Sequence, residues 1–497
     1  MTLLGAGEVP PAPPIRRGVG TAAPGLRSLE APVAVLAGAL ALSLVTGDWI
    51  AGAGVLVLAS VWPLLKTEEG PPVLAMAVTF QWIQVTAGLY YHGLTGRPLP
   101  AVVLSDYRPM VLIGLGCVVA LAGGLALGAR LGQRPLGADA RPERAFEWPA
   151  LVAVHVGCVL LTGSVQELAW RIPGLTQGVL ALTYVRYAIL FIMFWRLTHP
   201  RVRWVWMGLL LAQEVAIGFT GYFAGFREPL MMAAVALLSA FDRRRWRHWV
   251  VLAGLLAIMA LSGLIWMSIR ADYRSDFESQ LYAESRQERL ERVAALTSTW
   301  VRQDFTDLTD DIDAFVDRLW AVYYPALAVE RVPALLPHED GEILWRAILH
   351  VVTPRLLTPD KETLQSDSEM VRRYSGVWVA GDESRTSIAF GYAAEAYVDF
   401  GLPLMFVPVF VYGLLMGLAY RAWLRIIIHR ELAVGFAAAA FWLSLYLFER
   451  SWIKTLGLSA TVMVYLGTAV LLLDRFLPVA RIPAAGPPPR PGRDRTA

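Results

Sequence analysis

Charged residues are scarce in this chain: Asp, Glu, Lys and Arg make up 17% of its 497 residues, against about 25% in an average soluble domain. Apolar residues make up 56%, and the mean hydropathy is +0.49. A composition so poor in charge excludes an ordinary soluble protein. It indicates an all-α polytopic membrane protein.

Cysteine and net charge are low as well. Cys117 and Cys158 lie in apolar runs without a second thiol or a histidine at ligand spacing, so we expect buried thiols rather than disulfides or a metal site. The net charge is only +3, and no basic cluster alternates with stacking aromatic residues. We therefore expect no metal, no cofactor and no nucleic-acid partner.

Long apolar runs are abundant. A membrane-spanning helix needs about 20 apolar residues, which predicts about twelve spans, the first two of them short enough to form a re-entrant hairpin instead. The predicted spans are 31–47, 49–65, 71–91, 108–130, 148–167, 174–197, 203–222, 226–242, 246–267, 401–423, 431–450 and 457–476. The predicted organisation is a disordered tail 1–30, nine helices in 31–267, a large polar loop 271–390, three helices in 401–476 and a disordered tail 477–497.

Arginine is unevenly distributed between the connections. The amino tail and the even-numbered connections hold most of the arginines, for example Arg243, Arg244 and Arg245 between the eighth and ninth spans. Because positive residues accumulate on the cytoplasmic side, we expect both termini in the cytoplasm and the loop 271–390 outside it. Within that loop, helical periodicity in 279–300 and 310–330 predicts amphipathic helices, and an irregular segment is expected after Pro354.

A charged pair, Arg227 and Glu228, interrupts apolar sequence between the seventh and eighth predicted spans. Either the pair lies at the membrane face, with Glu228 favoured near a helix start, or Arg227 binds a ligand. Within the spans the main charges are Arg186 and Glu214, which could pair with each other.

Further polar residues fall on the same predicted outer face. They include Glu395 and Asp399 one helical turn apart, and Glu449, Arg450 and Lys454 where the eleventh span ends. Surface charges, helix caps and salt bridges also explain such residues, and the acidic run Asp310–Asp313 is best explained as an acidic helix face. The candidate catalytic residues are Glu395 and His350, and the candidate binding residues are Arg227, Arg346, Arg355, Lys361, Arg373 and Arg450.

Several segments resemble bacterial O-antigen or exopolysaccharide repeat-unit polymerases of the Wzy type, which are related to the O-antigen ligases. These segments are the "GFR" turn at Gly225, the loop string "TPRLLTPDKETLQSDSEMVRRYSG" and the re-entry "EAYVDFGLPLMFVPVFVYGLLMG". The likeness covers roughly residues 218–424. It implies Arg227 and Arg355 as pyrophosphate or glycan contacts and places Glu395 in the re-entry motif, but it supplies no catalytic base.

The resemblance implies a glycosyltransferase of the bacterial inner membrane. Such an enzyme moves a growing glycan from polyprenyl pyrophosphate onto the next lipid-linked repeat unit, with membrane lipid, a flippase and a chain-length regulator as expected partners. Arginines suit a pyrophosphate leaving group because they form forked, charge-assisted hydrogen bonds. The alternatives are an O-antigen-type ligase, a transporter of polysaccharide or lipid-linked sugar, and a non-catalytic scaffold; the sequence shows no internal repeat of the kind transporters commonly have.

Overall fold

The computed structural model describes most of the chain between residues 27 and 481. The described residues are 27–67, 70–97, 106–131, 144–171, 176–198, 203–220, 225–280, 286–302, 305–353, 358, 365–381, 383, 387–476 and 479–481.

These residues form α-helices joined by short connections, with one two-stranded sheet and one π-helical turn, Val462–Leu466. The helices are α1 (Arg27–Thr46), α2 (Trp49–Leu64), α3 (Val73–Thr95), α4 (Arg108–Arg130), α5 (Trp148–Arg171), α6 (Thr176–Leu182), α7 (Val185–Thr198), α8 (Trp204–Phe219), α9 (Arg227–Ser239), α10 (Trp246–Gln280), α11 (Arg286–Val301), α12 (Phe305–Leu319), α13 (Tyr323–Arg331), α14 (Glu342–Val352), α15 (Asp367–Ser375), α16 (Tyr392–Phe400), α17 (Phe406–Ile426), α18 (Arg430–Leu445), α19 (Trp452–Thr461) and α20 (Gly467–Phe476). The strands are β1 (Arg144–Phe146) and β2 (Val479–Arg481), which pair antiparallel.

Seven helices in the described part of the chain are long and apolar enough to cross a membrane. They are Val73–Thr95, Arg108–Arg130, Trp148–Gln166, Thr176–Thr198, Trp246–Arg274, Phe406–Ile426 and Trp452–Phe476. The prediction of an all-α membrane protein is therefore confirmed. Twelve spans remain a prediction, because α9 and α18 have only 13 and 16 residues and three further apolar helices are also short.

The centre of the bundle is α18. Its residues are buried from Glu431 to Leu445, because Ala437 to Ala440 are small enough to let α3, α7 and α17 pack against it. Close packing through small residues recurs where α4 crosses α17: a Cβ added to Gly124 would lie 2.1 Å from the Phe410 carbonyl oxygen. Small residues are the usual means of helix association within membranes.

Three ionisable side chains are buried between α5, α7 and α8. Arg186 pairs with Glu214, and His155 Nε2 lies 3.1 Å from the other Glu214 carboxylate oxygen. The two mid-span charges noted in the sequence thus do pair with each other. Pairing offsets the cost of burying each charge and ties the three helices together.

The two-stranded sheet and the helices α11 to α16 lie at opposite faces of the bundle. Pairing of β1 with β2 places the entry to α5 and the exit from α20 at one face. The other face carries α11 to α16, and we call this face, defined by residues 286–400, the loop side. Helices α11, α12 and α13 lie in the segments with predicted amphipathic periodicity.

One expectation for the loop was wrong in part. The segment after Pro354 was expected to be irregular, but residues 367–375 form α15. Ser366 accepts a hydrogen bond from the Glu369 N–H and the Glu369 carboxylate accepts one from the Ser366 N–H, which is a capping box. The S-x-x-E spacing that produces this cap is visible in the sequence.

Candidate functional site

The turn between α18 and α19, residues 446–450, is held on the loop side by two buried glutamines of α3. Gln84 donates to the Tyr446 carbonyl at 2.8 Å and accepts from the Phe448 N–H at 3.2 Å. Gln81 donates to the Leu445 carbonyl. Backbone groups freed where a helix ends inside a membrane bundle need such partners, so the position of this turn is well determined.

Tyr446 brings two predicted binding residues together. Arg227, the first residue of α9, donates to the Tyr446 hydroxyl at 2.6 Å, and its guanidinium carbon lies 4.5 Å from the centre of the tyrosine ring. The Arg450 guanidinium carbon lies 5.4 Å from the same centre. Arg227 also donates to Glu228 at 2.9 Å, so the pair noted in the sequence is an ion pair at a helix start that also contacts another part of the bundle.

A third arginine reaches this turn from the loop helices. Arg318 near the end of α12 makes a two-fold ion pair with Glu449, at 2.6 Å and 3.1 Å. The end of α12 is fixed because the Trp320 indole and the Ala321 N–H both donate to carbonyls of α3, at 2.9 Å each. Glu449 raises the pKa of Arg318.

Arg270 completes the group from the loop-side end of the span in α10. It lies within electrostatic range of Arg318 and Arg274, and it makes no hydrogen bond or ion pair within the described residues. We call Arg227, Arg270, Arg318 and Arg450 the arginine cluster. Its four guanidinium groups are accompanied by two contacting carboxylates, Glu228 and Glu449, which leaves excess positive charge where an anion would be stabilised.

A cavity of about 280 Å³ opens beside the arginine cluster. Its lining includes Asp317, Arg318, Tyr324, Ser387 and Glu449, so it lies between α12, the segment before α16 and the 446–450 turn. This volume is enough for a pyrophosphate group or a single sugar ring, and both charge signs are present in its wall.

The wall of the cavity contains two carboxylates, Asp317 and Glu449. Glu449 pairs with Arg318, whereas Asp317 has no arginine partner among the described residues. One of its oxygens lies 3.4 Å from His92 Nε2 on α3. Burial is the main cause that raises the pKa of Asp317; Asp313, one turn earlier, also raises it, whereas His92 lowers it. A carboxylate with a raised pKa is a better proton acceptor than an ordinary aspartate.

The two catalytic residues predicted from the sequence lie elsewhere. Glu395 is buried in α16, and its carboxylate accepts the Trp452 N–H at 2.7 Å at the start of α19. His350 is half-buried in the last turn of α14. Both remain predicted catalytic residues, but the Glu395 contact is that of a helix cap.

The remaining predicted binding residues are also outside the arginine cluster. Arg346 is exposed and pairs with Glu342 at 2.5 Å on the same helix. Arg373 pairs with Glu339 at 2.6 Å. Arg355 and Lys361 lie outside the described residues.

Sequence reasoning missed Arg270, Asp317 and Arg318. An arginine ending a long apolar run was the available signal for Arg270. For Asp317 and Arg318 there was little signal, because charges are expected all along the polar face of an amphipathic helix.

The fold and the site define a helical membrane protein with an arginine cluster beside a cavity at one end of its bundle. The chain belongs to a family whose model is described as a domain of unknown function, DUF8712, which matches residues 143–422. No curated protein and no solved structure matches the chain.

Proposed function

We propose that the protein is a membrane glycan polymerase that transfers a growing polysaccharide from polyprenyl pyrophosphate onto a lipid-linked repeat unit. The loop side is then the outer face of the bacterial inner membrane. Two alternatives follow from the sequence. The protein would then be a ligase that transfers the glycan to a different lipid acceptor, or a transporter of polysaccharide or lipid-linked sugar.

The observation that carries the proposal is the arginine cluster beside the cavity. Outside the cytoplasm there is no ATP, so a glycan-joining enzyme needs a donor that is already activated, and a lipid pyrophosphate is such a donor. The cluster supplies guanidinium groups at the start of α9, near the loop-side end of the span in α10, in the last turn of α12 and in the 446–450 turn. A pyrophosphate attached to a membrane-embedded tail would lie at this level.

In the proposed reaction the acceptor hydroxyl oxygen attacks the anomeric carbon of the donor glycan. The bond between that carbon and the pyrophosphate oxygen breaks, and polyprenyl pyrophosphate leaves with both bonding electrons. Arginines that hold the leaving oxygens stabilise the developing negative charge. Arg270 has the most to contribute, because it has no competing ion pair among the described residues.

The acceptor hydroxyl must also lose a proton. Asp317 lines the cavity and is the proposed proton acceptor, with His92 behind it at 3.4 Å to orient the carboxylate. Glu449 lines the same cavity, but it already accepts two hydrogen bonds from Arg318, which makes it the weaker base.

The test is to supply purified protein in lipid vesicles with lipid-linked repeat units. A ladder of products differing by one repeat unit, formed also in excess chelator, is the expected result, since arginines rather than a metal are proposed to stabilise the leaving group. Products extended only after a different acceptor lipid is added would favour a ligase. Movement of the repeat unit across the vesicle membrane without any new glycosidic bond would favour a transporter.

A further inference from the structure

Helix α14 presents two different stripes on its outward surface. Trp345, Leu349 and Val352 follow the spacing of one helix face and are 58%, 42% and 65% exposed. The adjoining stripe is polar and carries Glu342 and Arg346, which pair with each other. The inward face is packed, with Ala347 buried at its centre. An exposed helix surface divided in this way suits a boundary between an apolar and an aqueous medium.

The beginning of α14 is fixed to the end of α16, the short helix that leads into α17. Asp399, in the last turn of α16, accepts the N–H groups of Ile343 at 3.0 Å and Leu344 at 2.8 Å. Between Asp399 and α17, Leu402 and Leu404 are 56% and 60% exposed. The apolar surface of α14 therefore begins beside exposed apolar residues that lead directly into a membrane-spanning helix.

The end of α14 lies beside a different span. A Cβ added to Gly457 would lie 3.7 Å from a methyl group of Val351, and α14 packs along α19. Gly457 is the sixth residue of the span Trp452–Phe476. At a rise of 1.5 Å per residue, this contact is about 8 Å inside the span along its axis.

We propose that α14 is an interfacial helix whose Trp345–Leu349–Val352 stripe is inserted into the acyl chains of the loop-side leaflet. The occupant of this surface is lipid, because α14 begins against the segment that leads into the span α17 and its last turn lies beside the interior of the span Trp452–Phe476. The polar stripe with Arg346 then faces water, and Trp345 lies at the depth where indole rings are enriched. This inference does not depend on the proposed function.

The test uses nitroxide labels on single cysteines in the full chain, in a Cys117→Ala, Cys158→Ala background and in vesicles of phosphatidylethanolamine and phosphatidylglycerol. Leu349→Cys and Val352→Cys report on the apolar stripe, and Arg346→Cys on the polar stripe of the same helix. Val407→Cys, an exposed position on α17, is the lipid reference.

Labels at 349 and 352 should collide with oxygen severalfold more often than with a water-soluble nickel chelate, as at 407, whereas the label at 346 should show the reverse. Labels at 349 and 352 that meet the nickel chelate as often as the label at 346 would overturn the proposal. Shielding of both positions from oxygen and nickel would also overturn it, because protein rather than lipid would then cover the stripe.

Discussion

Glu395 and Asp399 lie one turn apart on α16, and each carboxylate accepts backbone N–H groups from the start of a different helix. Asp399 holds α14, and Glu395 holds α19. The acidic re-entry motif therefore attaches the loop-side helix α14 and the start of the span that contains α19 to α16.

The buried carboxylate of Glu395 predicts that the stability of the folded protein depends on pH. Burial raises the pKa of Glu395 from 4.5 to about 8. The folded state then binds the proton of the Glu395 carboxyl more tightly than the unfolded state does. The contribution of this proton to the free energy of unfolding is therefore complete below pH 4.5 and declines as the pH rises towards about 8. The total change in the free energy of unfolding is on the order of 5 kcal/mol.

Glu395→Gln keeps an acceptor for the Trp452 N–H but cannot ionise. The unfolding temperature of the wild type should fall between pH 6.5 and 8.5, and that of Glu395→Gln should fall much less. This range also avoids most of the titration of Asp399, whose pKa burial raises to about 6. Parallel pH profiles for the two proteins would show that Glu395 is not the group responsible.

Arg227→Lys tests whether the planar guanidinium is needed. Lysine keeps the positive charge but cannot reproduce the forked contacts of arginine, so polymer formation per folded molecule should fall about 30- to 1000-fold, equivalent to about 2–4 kcal/mol. Glu228→Gln should be milder. Tyr446→Phe removes only the hydroxyl that Arg227 contacts; if it harms turnover as much as Arg227→Lys, the arginine acts through the 446–450 turn and not through substrate.

Asp317→Asn should lower the turnover rate roughly 10²- to 10⁴-fold, the usual range for the loss of a general base. Asp313→Asn is the matched control, because Asp313 lies one turn away on α12 and is paired with Arg97. In the wild type, kcat/KM should fall as the pH drops through the raised pKa of Asp317, since only the carboxylate accepts a proton. If kcat/KM of Asp317→Asn falls at low pH in the same way as that of the wild type, a residue other than Asp317 is the base.

The orientation rests on the arginine distribution and is tested with single cysteines at two exposed positions. In the cysteine-free background, Gln365→Cys on the loop side should react with an impermeant thiol reagent in intact spheroplasts, and Arg244→Cys between α9 and α10 should react only after lysis. The opposite pattern would place the loop side in the cytoplasm. It would contradict the proposed reaction, which takes place outside the cytoplasm with a donor that is already activated.

The sequence predicted an all-α membrane protein correctly, because the cost of burying an unsatisfied backbone in lipid makes long apolar runs into helices. It also singled out Arg227 and Arg450. It could not show that Tyr446 joins them, since Arg227 lies 219 positions from Tyr446. Nor could it show that Glu395 and Asp399 are caps, because their partners are 57 and 56 positions away. Long-range contacts of this kind depend on helix packing, which the pattern of one chain does not specify.

The central claim is that the arginine cluster binds the pyrophosphate of a lipid-linked donor, and the affinity for polyprenyl pyrophosphate tests it most directly. Dissociation constants would be measured by native mass spectrometry for the wild type, Arg270→Ala and Arg346→Ala. Loss of a charge-assisted hydrogen bond costs about 1.5–3 kcal/mol, so Arg270→Ala should bind about 10- to 150-fold more weakly. Its unfolding temperature should be unchanged, because Arg270 has no hydrogen-bond or ion-pair partner among the described residues. Arg346→Ala, which removes an exposed loop-side arginine outside the cluster, should bind as the wild type does. Equal affinity in all three proteins would contradict the account.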